Sequence, residues 1–429
     1  MRDAGAVLPQ ERQGPERGFD VAALLAPEQA IIAYFSRAQL TAPRREDVAL
    51  DDALGRVLAS DLDAADDLPS HARSTMDGFA VRAGDAAKLR VTGEVRMGAP
   101  APHALREGEA MRVPTGGALP AGADAVVPLE DVDESGDTIA VRAPVRAGEN
   151  VTQRGADLRA GQRALAAGRR IGSPELGLLA TLGVAVVPVF RKPVFAIVST
   201  GDELVAPDSV PQLGQVRDSN RYAIAGGLRA MGADAVHLPH VADDASAQRT
   251  VFAAALERFD GLVLTGGSSV GERDFTPRVV RELGAPGPIV HGLRVKPGKP
   301  TLLAAIGGKP VIGLPGNPTS SLMILEAVVR PIVAACTGER NSRTVVVSAT
   351  ATEAFRGREG WTWFVPAQLL ARGPELFAQP LPLRSSHVSL LARASGYATL
   401  SETMPAVELG ARLDIALFSA GGSPIECMP

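Results

Sequence analysis

Hydrophobic and polar positions change rhythm several times along the chain. From Pro27 to Leu40 (PEQAIIAYFSRAQL) apolar residues recur at helical spacing, and Pro27 suits a first turn. From about Glu46 to Asp157 short alternating runs such as KLRVTGEV and AMRVPTG are broken by PAGAD and ESGD, which predicts a mainly β segment. Ser173-Pro174-Glu175 then opens a helix through Leu182, with Ser173 as N-cap and Gly183 as stop, and the strand VAVVPVF follows. From Lys192 to about Gly338 the rhythm becomes strand, Gly-rich loop, helix. Strands are expected over 193–200, 233–241, 261–266, 289–295 and 309–316, and helices near 219–231, 245–259, 275–283 and 317–335. Such alternation predicts a mostly parallel sheet covered on both faces. After Arg343, VVVSATAT and RLDIALFS predict a small all-β domain.

Composition narrows the picture. With 44 Lys+Arg against 48 Asp+Glu, the net charge of −4 leaves no cationic excess to neutralise phosphates along a nucleic acid. Two cysteines, Cys336 and Cys427, exclude a disulfide framework and cysteine-rich metal sites. The most apolar stretch, Leu176–Phe190, is interrupted by Gly183 and Pro188 and is shorter than a membrane span. The first twenty or so residues mix both charge signs and lack an apolar leader. A loose tail over 1–22 and a soluble, cytoplasmic chain are therefore expected, with neither membrane nor nucleic-acid partner.

The unusual residues of the 192–338 segment fall after its strands, where an open α/β sheet binds ligands. They are Ser199-Thr200-Gly201-Asp202-Glu203, Gly266-Gly267-Ser268-Ser269 running on to Asp274, Lys296-Pro297-Gly298-Lys299-Pro300, and Pro315-Gly316-Asn317-Pro318-Thr319-Ser320. Glycines let backbone N–H groups approach an oxyanion, a following helix start adds a favourable dipole, and Lys296 and Lys299 bring compact positive charge. Interleaved acids, Asp202, Glu203, Asp243, Asp244 and Asp274, would repel a phosphate unless a hard cation stood between them or one of them donated a proton, so a phosphate-bearing ligand handled with Mg²⁺ or a similar hard ion is expected. No GxxxxGK[ST] and no GxGxxG after the first strand occurs, which disfavours a P-loop NTPase or a Rossmann dehydrogenase. Alone, a Gly-rich turn after a strand reads as a tight turn, PGNP as a helix start, KPGKP as a solvated hairpin and STGDE as a capping box. Four of them on one side of one predicted sheet read as a functional crevice.

At STMDGFAV (74–81), PTGGALPAGADAVVPLED (114–131), GENVTQRGADLRAG (148–161), STGDEL (199–204), DSN (218–220), TGGSSVGERDF (265–275), KPGKP (296–300) and GLPGNPTSS (313–321), the chain resembles the MoeA family of molybdenum insertases, which includes the E domain of gephyrin and of its plant counterpart. The resemblance implies a multidomain α/β plus β fold: a linker and dimerisation unit over 23–45 and 159–191, a β-rich domain over 46–158, an α/β molybdopterin-binding domain over 192–338 and a C-terminal β-barrel-like domain over 342–429. It implies a transferase that inserts molybdate into adenylylated molybdopterin with release of AMP, acting with Mg²⁺ as a homodimer. Glu203, Asp274, an acid of the Asp243–Asp244 pair, Lys296, Lys299, Pro315 and Pro318 would serve from one subunit. Asp77, Thr115 and Asp157 would serve from the other. Ser199, Thr200, Gly201, Asp202, Gly266, Gly267, Ser268, Ser269, Gly316, Asn317 and Ser320 would bind substrate, with Glu203 and Asp274 nearest the metal. A molybdopterin adenylyltransferase and recipient molybdoenzymes are the implied protein partners. Phe275 stands where tyrosine is common, which deletes a hydroxyl. An adenylyltransferase acting one step earlier, or a peptide-binding scaffold, would share parts of this pattern. The first would not need the chain outside 192–338, and the retained acids and lysines argue against the second.

Overall fold

The computed structural model describes residues 23–266, 275–340, 342, 344–382, 387–419 and 425–427. Helix α1 (Pro27–Ala38) begins, as expected, with proline in its first turn. Its apolar stripe is buried, however, in the core of the α/β sheet: Ala30, Tyr34 and Ala38 join Phe195, Leu303 and Ile332 there. Helix α2 spans Ser173–Thr181. Its N-cap is Gly172 and not Ser173; glycine brings no side-chain oxygen, and Glu175 at the third helical position instead accepts the Gly172 N–H at 2.9 Å.

The central sheet contains β1 (Val194–Ser199), β2 (Asp234–His237), β3 (Gly261–Thr265), β4 (Pro286–His291), β5 (Leu302–Ile306) and β6 (Lys309–Leu314), in the order β2-β1-β3-β6-β5-β4. β2, β1, β3 and β6 pair in parallel, while β5 runs antiparallel to both neighbours. Their near-continuous apolar runs suit a sheet buried on both faces. Helices α3 (Asn220–Ala230), α4 (Ala245–Arg258), α5 (Thr276–Leu283), α6 (Pro318–Ile324) and α7 (Arg330–Thr337) complete the unit. Ile224 and Leu228 of α3 pack on one face with Ile197 and Val263, and Phe252 of α4 with Val279 of α5 on the other against Val198 and Leu264.

Two readings need correcting. β5 was not expected; it forms a hairpin with β6 in which Ile306 faces Lys309 across Gly307-Gly308, both at positive φ. A Gly-Gly pair between apolar runs is a two-residue hairpin signal. The strand expected over 289–295 ends at His291, and Val295–Lys296 pairs instead with Thr362–Trp363 of the C-terminal sheet.

The stretch Pro318–Thr337 has the length and apolarity of a membrane span, which the reading of Leu176–Phe190 passed over, but 67% of it is buried inside the protein. It is a core element, broken by a π turn at Leu325–Val329. On that turn Glu326 is 3% exposed, pairs with Arg330, and accepts the N–H and the hydroxyl of Ser419 at 3.2 and 2.7 Å.

Residues 78–141 form a six-stranded sheet that holds Gly78–Val81 at Phe79 and Val81 in its core. Arg45–Ala49 and Val57–Leu58 do not join it; both pair with Val186–Phe190, and Leu62–Asp63 pairs with Arg163–Leu165. The C-terminal sheet is built on the long strand Thr362–Arg372.

Candidate active site

The ends of β1, β3 and β6 are tied together before any ligand arrives. Thr200 donates its N–H to Thr265 O at 2.9 Å, and Val241 donates to Ser199 O at 3.0 Å. Asn220, at the start of α3, donates through Nδ2 to Thr265 Oγ1 at 2.8 Å and to Gly316 O at 2.7 Å, so one side chain staples the loop after β3 to the loop after β6. Gly266 takes φ +89°, and a Cβ there would run into Thr200 O. The turn at Gly298 lies against Ile324 of α6, which brings KPGKP and GLPGNP to the same rim.

These loops enclose a cavity of about 680 Å³, within the range of small-molecule sites. Of the residues expected in the site, Thr200, Gly201, Glu203, Asp243, Gly266, Pro315, Gly316, Asn317 and Pro318 line it. Others stand behind or beside it. Ser199 and Ser320 are buried. Asp202 Oδ1 lies 3.5 Å from the Asp243 N–H. Asp244 caps α4, its Oδ1 accepting the Ala247 N–H at 2.8 Å, whereas Asp243 faces the cavity. Lys296 and Lys299 do not line the wall, although Pro300 of the same turn does. The Lys296 ammonium sits 4.8 Å from the centre of the Trp363 ring. Gly267, Ser268, Ser269 and Asp274 lie outside the described residues.

The β-rich pair is a local clasp. Asp77 Oδ1 accepts the Thr115 N–H at 2.6 Å and its hydroxyl at 3.0 Å, and these donors hold the Asp77 carboxyl below the usual carboxylate range. Asp157 is exposed, and its N–H donates to Leu68 O at 2.9 Å. Among the described residues, nothing from 46–158 lines the cavity.

Sequence reasoning missed Arg217, Asp218, Asn220 and Val388, all of which line the cavity. The DSN motif was visible but carried no role. Val388 belongs to the C-terminal part, held beside the cavity by a hydrogen bond of 3.1 Å from Thr319 Oγ1 to His387 O, and nothing in its own sequence neighbourhood signals that position. Among the described residues, the lining carries three carboxylates, Glu203, Asp218 and Asp243, against one guanidinium, Arg217. Such a wall repels a bare phosphate and suits one accompanied by a cation. Among the described residues no cluster of three or more His, Cys, Asp or Glu could hold a metal by protein ligands alone. The wall fits Mg²⁺ in its usual form, bound by one or two carboxylates together with water and ligand oxygens.

Sheet order, loop placement and cavity define an α/β small-molecule enzyme domain carried within a larger, mostly β chain. Residues 25–183 match the family described as "MoeA N-terminal region (domain I and II)", and residues 196–335 match the "Probable molybdopterin binding domain". The chain is 32% identical over 384 residues to the molybdopterin molybdenumtransferase of Bacillus subtilis, covering 86% of this chain and 89% of that protein. It is 36% identical over 346 residues to the protein of the same name from Synechococcus elongatus, covering 76% and 84%. The solved MoeA protein of Pyrococcus horikoshii matches with a TM-score of 0.81 at 26% identity, covering 92% of this chain and all of that one (100%). The chain belongs to the MoeA family, and it is a transferase of molybdenum cofactor biosynthesis.

Proposed function

We propose that the chain inserts molybdate into the dithiolene of adenylylated molybdopterin and releases AMP and molybdenum cofactor. The observation that carries this reading is the cavity at the carboxyl edge of the sheet, where glycine turns and acids converge in a domain matching the molybdopterin-binding family. The turns at Gly201, Gly266 and Gly316 would orient the phosphate groups through backbone donors, and Lys296 and Lys299 would supply positive charge at the rim. Asp243 would carry protons to the oxygen atoms leaving molybdate. Mg²⁺ would be held by Glu203 and Asp274 and would supply charge neutralisation at the pyrophosphate.

Asp77, Thr115 and Asp157 would complete the site from the second subunit of a homodimer. Their exposure, and the lack of any lining residue from 46–158 among the described residues, support a role played on another copy. Molybdopterin adenylyltransferase would supply the substrate, and molybdoenzymes would receive the product.

The test is AMP release from adenylylated molybdopterin by the purified full-length protein, with and without molybdate. Release that depends on molybdate, and that falls by about a hundredfold or more in Asp243→Asn and Glu203→Gln, is expected. Equal release without molybdate would overturn the reading. So would adenylylation of molybdopterin by ATP as the main activity.

A further inference from the structure

Among the described residues, three buried polar atoms on the cavity-lining residues have no hydrogen-bond partner: Thr200 Oγ1, Asp218 Oδ2 and Asn220 Oδ1. Their residues are 1%, 5% and 8% exposed. A buried acceptor without a donor is costly, and it marks a place where water, an ion or a ligand completes the bonding.

The chemistry of these atoms is fixed by their neighbours. The Asn220 amide cannot turn round, because its Nδ2 faces Gly316 O at 2.7 Å and a carbonyl only accepts. Oδ1 is therefore an acceptor. Asp218 Oδ1 accepts the Arg221 N–H at 3.3 Å, while Arg221 Nε stands 3.9 Å from Oδ2, beyond hydrogen-bond reach. Two acceptors two residues apart thus await donors, on residues that line the same cavity as Thr200. The exposed charges of Glu203 and Arg217 belong to the same cavity and suit the charged end of a ligand.

We propose that Asp218 and Asn220 form a subsite for a flat heterocycle with adjacent N–H donors, which in the reaction proposed above is the aminopyrimidine edge of the pterin. The name of the ligand rests on that reading; the acceptor character of the subsite does not. A hard cation would also seek oxygen atoms, but the Arg221 guanidinium beside Asp218 opposes a second positive charge, whereas a neutral N–H edge meets no such repulsion.

Binding of 6-hydroxymethylpterin and of 6-hydroxymethyllumazine to the full-length protein, followed by fluorescence, tests this. Lumazine keeps the shape of the ring but replaces the 2-amino donor with a carbonyl acceptor. The wild-type protein is expected to prefer the pterin by about tenfold or more, since an acceptor would face acceptors. In Asp218→Asn, Oδ1 keeps the Arg221 N–H and an amide N–H replaces Oδ2. The preference is then expected to fall to parity or to reverse, while AMP binding stays within about twofold. Equal binding of both ligands by the wild-type protein overturns the proposal, and that comparison needs no variant to fold. A preference untouched in Asp218→Asn also overturns it, as does loss of Mg²⁺ binding in that variant with the preference intact. Pterin preference without molybdate-dependent AMP release would support the subsite and remove the reaction.

Discussion

Replacing Gly266 by alanine tests whether close backbone approach builds the cavity. Gly266 lies at φ +89°, where an L-residue is strained by about 1–2 kcal/mol. A Cβ would collide with Thr200 O and lie 3.0 Å from Thr200 Oγ1, and crowding a backbone atom adds about 1–3 kcal/mol. The expected destabilisation is about 2–5 kcal/mol, localised where Thr200 N–H meets Thr265 O. Gly307→Ala is the control: φ is +55° with nothing within 4 Å, so only the conformational strain applies, at about 1–2 kcal/mol. Hydrogen exchange of the β1 and β3 amides reads the difference locally, which a global melt of a multidomain chain would blur. Gly266→Ala should speed their exchange by about thirtyfold or more. If Gly307→Ala loosens these strands as much as Gly266→Ala does, close approach at Gly266 is not what positions the loops.

The Glu326 latch predicts an asymmetry. Glu326→Ala leaves Arg330 without its buried partner and should cost about 3–5 kcal/mol, whereas Ser419→Ala removes hydrogen bonds at the edge of the same group and should cost about 1–3 kcal/mol. Denaturant midpoints distinguish the two, and equal losses would refute a charge-based latch. The Asp77 clasp predicts a direction with pH. Its carboxyl is lowered from an ordinary 3.8, so the clasp contributes fully above that value and is lost as pH falls through the depressed native one. The Thr115 amide resonance should keep its position down to below pH 3.8 and then shift, and in Asp77→Asn it should show no such transition.

Much of this architecture is written in local patterns. The Ser199, Gly266 and Pro315 loops were placed correctly because each follows a run of buried apolar residues that can only be a strand inside a covered sheet. β5 escaped because TLLAAI is short, and its identity lies in the Gly307-Gly308 turn that pairs it with β6. Asp243 and Asp244 cannot be told apart from sequence, since either carboxylate could cap a helix. Only the direction of the chain into α4 assigns the cap to Asp244. Lys296 reads as a phosphate-seeking charge, but its ammonium lies over the ring of Trp363, more than sixty residues away. Val388 reaches the cavity through tertiary contacts alone.

Val295–Lys296 lies alongside Thr362–Trp363 as an added strand, so the segment leading into the lysine turn is shared property of two units. A protein shortened before residue 344 would lose Phe364, Leu390 and Tyr397 from the core of the central sheet together with the template that orders this segment, and would expose strand edges prone to pairing between molecules. The last fifth of the chain is thus better regarded as scaffolding for the lysine turn than as an appendage, and truncation would be felt first as insolubility.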